Sequence, residues 1–229
     1  MISKIEKEVT LRFLKTRKSD GFLNIISIFS FIGISLGVAV LIIVMSVMNG
    51  FRTELINKIV GFNAHIVVDP YEKKIDISDK PNLTSISENL ILSNNGEAII
   101  IKKDSSKGII LRGYTDEDFS KLEFINNKSY IGNKDDLNEN NISIGKELSF
   151  ALGVKVGDNI TIMSSSGVQT IIGTLPKQKT FKIISLFESG LVDFDNNIAF
   201  INLETLEEFF DQSNKNRKLE IYLKNPQNI

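Results

Sequence analysis

From Gly21 to Phe51 the chain carries no charged side chain, and no other stretch constrains the fold as strongly. Phe22 to Met48 alone is 27 residues, about 40 Å as an α-helix at roughly 1.5 Å per residue, against a bilayer core of about 30 Å. The core helix of a soluble domain seldom runs so far without charge on any face, so the segment reads as a membrane span. A cleavable leader fits poorly. Its apolar part would be about 7–15 residues ending in small side chains, whereas this run leads into VMSVMNGF. The span is therefore expected to persist as an anchor.

The flanks orient it. Lys4, Lys7, Arg12, Lys15, Arg17 and Lys18 precede the span, and only Arg52 and Lys58 follow closely, which predicts a cytoplasmic N-terminus with the bulk of the chain outside. Ile2, Ile5, Val9 and Phe13 recur at steps of three and four, so the first twenty residues read as a basic amphipathic segment on the cytoplasmic face. Beyond the span, Phe51, Leu55 and Ile59 keep the helical spacing, and Gly61 is expected to end the helix in a left-handed conformation. A helix from about Phe22 to Val60 would be nearly twice the bilayer core, leaving residues 21–61 as span plus stalk. Asn49-Gly50 is its one expected weak point.

Residues 62–229 read as one α+β domain. Strands are expected over Ala64–Val68, Glu97–Lys102, Gly108–Tyr114, Asn141–Ile144, Asn159–Met163, Val168–Gly173, Phe181–Phe187, Asn197–Ile201 and Leu219–Leu223, mostly β-branched or aromatic runs between Gly, Asn, Asp and Ser. Helices are expected over Thr84–Leu92, Lys146–Leu152 and Leu203–Asp211, with no repeating βαβ order. KDSSKG reads as a hairpin connection and KVGD, Lys155 to Asp158, as a turn. There is no cysteine, so a domain outside the cytoplasm must be held by its core alone.

Catalytic chemistry finds little material here. IGKELS, Ile144 to Ser149, has one Gly-Lys pair followed by Glu and reads as a helix start rather than a phosphate loop. Zinc would need three or four ligands, and His65 is the single histidine; its place between stalk and first strand suggests a structural or solvated role. Asp193 and Asp195 read as part of a turn before the next strand. No cofactor or metal is expected, and a net charge of −1 gives no electrostatic basis for a nucleic-acid partner.

Two features stand above this background. Ser30, Gly33 and Gly37 form a small-residue stripe suited to close helix packing, and the same face continues outward as Leu41, Val44 and Met48, flexible apolar side chains suited to acyl chains or membrane lipids. The second is Ser164–Thr180, SSSGVQTIIGTLPKQKT, expected to project as a long hairpin or loop. There Ile171, Ile172, Gly173, Leu175 and Pro176, flanked by Lys177 and Lys179, would offer an apolar docking surface for a soluble partner, with folding back onto the domain as the alternative.

The span with SVMNGF, then IILRGYT, ISIGKELSFALGVKVGDNITIMS and GTLPKQKTFKIISLFESGLVDFDNNIAFINLETLEEFF, resembles the transmembrane subunits of the lipoprotein-releasing ABC transporter of Gram-negative bacteria, the LolC/LolE type. The resemblance covers nearly the whole chain. It implies an inner-membrane permease subunit with four membrane helices and a MacB-like periplasmic core domain between the first and second. It also implies a partner permease subunit, homo- or heterodimeric, and a cytoplasmic ABC ATPase on which the pair sits. ATP binding would drive a triacylated lipoprotein to a periplasmic carrier, and the subunit itself would not be an enzyme. The chain stops at Ile229, so a truncated gene or a fragment is expected. A permease of the wider superfamily, of macrolide-efflux or cell-division type, and a membrane-anchored extracytoplasmic sensor are the alternatives. The sensor is disfavoured because some twenty residues before the span supply no output module.

Overall fold

The computed structural model describes residues 3–14, 21–71, 74–75, 81–102, 105–122, 125, 130–133, 136–170 and 173–224. It comprises two units, Met1–Leu55 and Ile56–Ile229.

In the first unit, helix α1 (Lys4–Leu14) starts at a capping box: Ser3 Oγ accepts from Glu6 N–H, and Glu6 Oε2 accepts from Ser3 N–H. Ile5 and Val9 are exposed. Helix α2 (Gly21–Phe62) has 42 residues. Among the described residues it is the one helix long and apolar enough to cross a membrane, with a mean hydropathy of 2.8 in its apolar window and none of that window buried. A soluble core helix would be covered by its own chain, and this one is not. The helix continues through Asn49-Gly50, where Thr53 Oγ1 donates to the Asn49 carbonyl at 2.9 Å. Gly61 does not terminate it: Gly61 has no positive φ, and the helix ends one residue later. Its last residue packs into the domain: the Phe62 ring is 2% exposed among Phe194, Phe187 and Phe200 at 4.9, 6.0 and 6.2 Å.

The second unit contains β1 (Ile66–Val68), α3 (Pro81–Ile86), β2 (Ser87–Lys102), β3 (Ser105–Tyr114), α4 (Asp116–Ser120), β4 (Ile131–Gly132), β5 (Asn141–Gly145), α5 (Lys146–Leu152), β6 (Asn159–Thr170), β7 (Gly173–Phe187), α6 (Val192–Asn197), β8 (Ile198–Asn202), α7 (Leu203–Phe210) and β9 (Lys218–Leu223). The expected α+β class holds. Thr84–Leu92 is helical only to Ile86; from Ser87 it is strand. A run such as LIL suits either period, and pairing with β9 decides it: Ile91 is fully buried on one face while Leu90 and Leu92 pack on the other. Asp193 and Asp195 lie in α6 rather than in a turn. Asp195 Oδ1 accepts from Ser189 N–H, and burial, partly opposed by that bond, raises its carboxyl above the usual range. KVGD is a turn, closed by Asp158 N–H to the Lys155 carbonyl, with Gly157 at φ +96°.

Strand pairing builds two parts. β9 lies antiparallel between β1 and β2, so β1–α3–β2 is a split βαβ unit completed by a strand from far along the chain. The rest closes on itself: β2 pairs β3, β3 pairs β8, β8 pairs β5, β5 pairs β7, β7 pairs β6, and β6 returns to β2. One core fills this ring, from Ile100, Leu111, Ile144, Ile162, Phe181 and Ile201, with Leu148 of α5 and Leu206 and Phe209 of α7 added. A second core, from Phe62 to Phe119, Phe187 and Phe200, lies on the outer face. Alternation explains the split: in β8, Ala199 and Ile201 point one way and Ile198 and Phe200 the other. Helix α7 seats closely because glycines lie beneath it. A Cβ at Gly96 would sit 2.5 Å from the Phe210 ring, and one at Gly113 would meet Leu203 and Leu206 at 3.1 Å.

His65 is structural. Its N–H donates to the Ile221 carbonyl, and its Nδ1 accepts from Leu223 N–H at 2.7 Å, tying the start of β1 to β9.

Candidate functional site

Strands β6 and β7 continue past the ring as a two-stranded arm. Gly167 to Thr170 pair with Pro176 to Gly173, and among the described residues no third strand pairs with this part of either one. The sequence predicted two separate strands here, Asn159–Met163 and Val168–Gly173; they are one strand with an irregular register between Met163 and Gly167. The opposing strand likewise begins at Gly173 rather than Phe181. A two-stranded ribbon in water is marginal by itself, and this one is anchored at its root, where four residues of β6 pair with β2 and five of β7 pair with β5.

Ile171 and Ile172, the expected tip, lie outside the described residues. Gly173 follows at φ +125°, a conformation that favours glycine. Leu175 is 56% exposed and Pro176 is exposed. Proline is tolerated on such an open ribbon, because among the described residues no strand pairs with the other side of β7 there. The lysines point inward, on the same strand face as Phe181 and Ile183. Lys177 Nζ is 2.6 Å from Asp211 Oδ1 and 3.3 Å from the Glu208 carbonyl, so it clips the root of the arm to the end of α7. Lys179 Nζ stands 5.6 Å from the centre of the Phe181 ring.

Sequence reasoning did not bring α7 to this place. Thr205, Glu208 and Phe209 line a groove of about 490 Å³ with Lys177, Gln178 and Lys179. The amphipathic pattern of α7 was legible, but its neighbour across the groove is some thirty residues away in sequence and leaves no local signal.

On α2, Leu41, Val44 and Met48 are each more than half exposed and share one helical stripe. Gly33 and Gly37 have no neighbouring atom within 4 Å where a Cβ would be, so with Ser30 they form a bare small-residue surface within this chain.

The MacB-like periplasmic core domain model matches residues 27–229. The chain belongs to that family. The match takes in the apolar helix, both parts of the sheet and the arm. Among curated proteins the chain is similar to the lipoprotein-releasing system transmembrane protein LolC of Xylella fastidiosa, 29% identical over 90% of this chain and 51% of that protein. The LolC of Neisseria meningitidis is 30% identical over 98% and 55%. The LolE of Haemophilus influenzae is 29% identical over 69% and 40%. The chain thus spans about half the length of the curated relatives it matches. As a member of the MacB-like family it combines the long apolar helix with a mixed α+β domain of periplasmic core type.

Proposed function

We infer that the chain is the N-terminal part of an inner-membrane permease subunit that releases lipoproteins to a soluble periplasmic carrier. ATP is hydrolysed by a separate cytoplasmic subunit, and a second permease subunit completes the assembly. The observation that supports this best is that the likeness to lipoprotein-releasing proteins extends over both the bare apolar helix and the arm-bearing domain.

Each part then has a physical task. Residues 1–20 lie on the cytoplasmic side, residues 21–61 cross the membrane and rise from it, and residues 62–229 work in the periplasm. Leu41, Val44 and Met48 give acyl chains a flexible apolar surface, worth about 0.8 kcal/mol per buried CH₂, while Ser30, Gly33 and Gly37 let a second helix approach closely. The arm, with Leu175 and Pro176 in water, docks the carrier. Proline narrows its conformations before binding, so less entropy is lost on docking.

The test replaces Leu175 and Pro176 together by Ser and Gly in the complete subunit. Covering a Leu that is 56% exposed is worth about 1–2 kcal/mol, so carrier affinity should fall about tenfold while the melting temperature stays unchanged. Lowered melting with unaltered affinity would assign the arm to the domain's own stability and move the carrier elsewhere.

A further inference from the structure

We propose that helix α1 docks lengthwise on the bilayer surface and selects acidic phospholipids there. This rests on the reading of α2 as a membrane span and adds to it the class of lipid that the segment before the span recognises.

The first observation is a helix with nothing of its own chain to lean on. It has 11 residues, a length that is marginal for an isolated helix in water. Its start is well specified by the capping box of Ser3 and Glu6. Yet every α1 side chain that the structure describes is exposed, Ile5 at 74% and Val9 at 49%. These two are four apart and share one face, so α1 presents an apolar stripe that an outside surface must cover.

The second observation is charge. Residues 1–20 carry six basic side chains, Lys4, Lys7, Arg12, Lys15, Arg17 and Lys18, against three acidic ones, whereas the rest of the chain is net acidic. Arg12 borders the stripe, three residues beyond Val9 and seven beyond Ile5. Lys4 and Lys7 lie across the helix, on stems long enough to bend toward a surface beneath it.

The third observation is the tether. Six residues separate α1 from α2, at most about 21 Å of extended chain, so the stripe is held beside the bilayer and docking is an intramolecular step. A short apolar stripe binds a membrane weakly and reversibly by itself, and a second, electrostatic signal decides the outcome. Each cation near an anionic surface strengthens binding about fivefold. A bilayer demands neither shape nor matched polar partners, and a stripe this narrow between solvated charges offers neither.

The experiment uses the whole chain in lipid nanodiscs with Val9→Trp as the reporter, since the chain has no tryptophan of its own. In discs containing phosphatidylglycerol the emission should shift to the blue and be quenched by lipids brominated on their acyl chains. In discs of phosphatidylcholine alone the ratio of docked to free helix should be about tenfold lower. High salt should lower that ratio in the acidic discs and leave the neutral ones unchanged. Adding Lys4→Gln, Lys7→Gln and Arg12→Gln to the reporter should lower the ratio in acidic discs about tenfold or more. Equal quenching in the two kinds of disc, or in the triple variant and its parent, would overturn the selection of acidic lipid. A tryptophan left in water in both would overturn docking altogether and assign the stripe to a protein partner. A chain that does not enter discs at all would remove the span reading too, which separates the two failures.

Discussion

The buried carboxylate of Glu220 should make the domain sensitive to alkali in a way that one substitution can measure. Glu220, on β9, is 8% exposed and accepts from three hydroxyls: Ser93 Oγ at 2.6 Å, Tyr114 Oη at 2.9 and 3.1 Å, and Tyr222 Oη at 3.1 Å. Burial, and after it the charge of Glu220, raises both phenols above their ordinary value of 10.0, with Arg112 opposing. The folded chain therefore keeps two protons that the unfolded chain gives up above about pH 10. Stability from this source is complete below the unfolded value and is lost as pH rises toward the folded ones, at about 1.4 kcal/mol per pH unit for each tyrosine. At about pH 11 that is roughly 1.4 kcal/mol each, or about 3 kcal/mol for the pair. Urea unfolding of the whole chain in micelles, followed by tyrosine fluorescence because there is no tryptophan, reads it directly. Tyr222→Phe should cost about 1 kcal/mol at neutral pH by losing one hydrogen bond, and should lose stability about 1.4 kcal/mol less steeply per pH unit than the parent above pH 10. Lysine titration affects both proteins alike and cancels in the difference. Equal alkaline slopes for parent and variant would refute the reasoning, as would phenolate absorbance from Tyr222 in the folded state at pH 11.

Arg217 bonds Glu207 through both Nε and Nη2, at 2.7 and 2.8 Å, with the two side chains 19% and 10% exposed; Arg217→Met should therefore destabilise the domain by about 3 kcal/mol by stranding a buried carboxylate. Chemical denaturation measures this, and adding Glu207→Met should recover much of the loss. Because the chain has no cysteine, single cysteines at Ser19 and Ser106 report topology: an impermeant thiol reagent added to intact spheroplasts should label position 106 and spare position 19. The reverse pattern would invert the membrane orientation.

What could be read from the residues depended on how local its cause is. The span was plain because hydrocarbon length alone determines it, and α5 and α7 were plain because their caps and apolar spacing sit within a few residues of one another. Ser87–Leu92 was misread as helix because its partner, β9, lies some 130 residues on, and only pairing separates a short apolar run into two faces. Gly61 was misread as a left-handed terminator: it stays helical, and the next residue, Phe62, packs among phenylalanines from three distant segments. Closure of the ring through β6 and β2 has no signature in either strand.

The candidate site divides along the same line. Leu175 and Pro176 stood out in the sequence because an apolar pair beside lysines in a polar stretch is odd without reference to anything else. The groove could not stand out: Thr205, Glu208 and Phe209 are ordinary helix residues, and only the packing of α7 beside β7 sets them next to Lys177 and Lys179. Lys177 and Lys179, equal in sequence, are unequal in the fold. One is spent on Asp211 and holds the arm's root against α7, while the other rests on an aromatic face. The difference between them arises only when β7 and α7 are brought side by side.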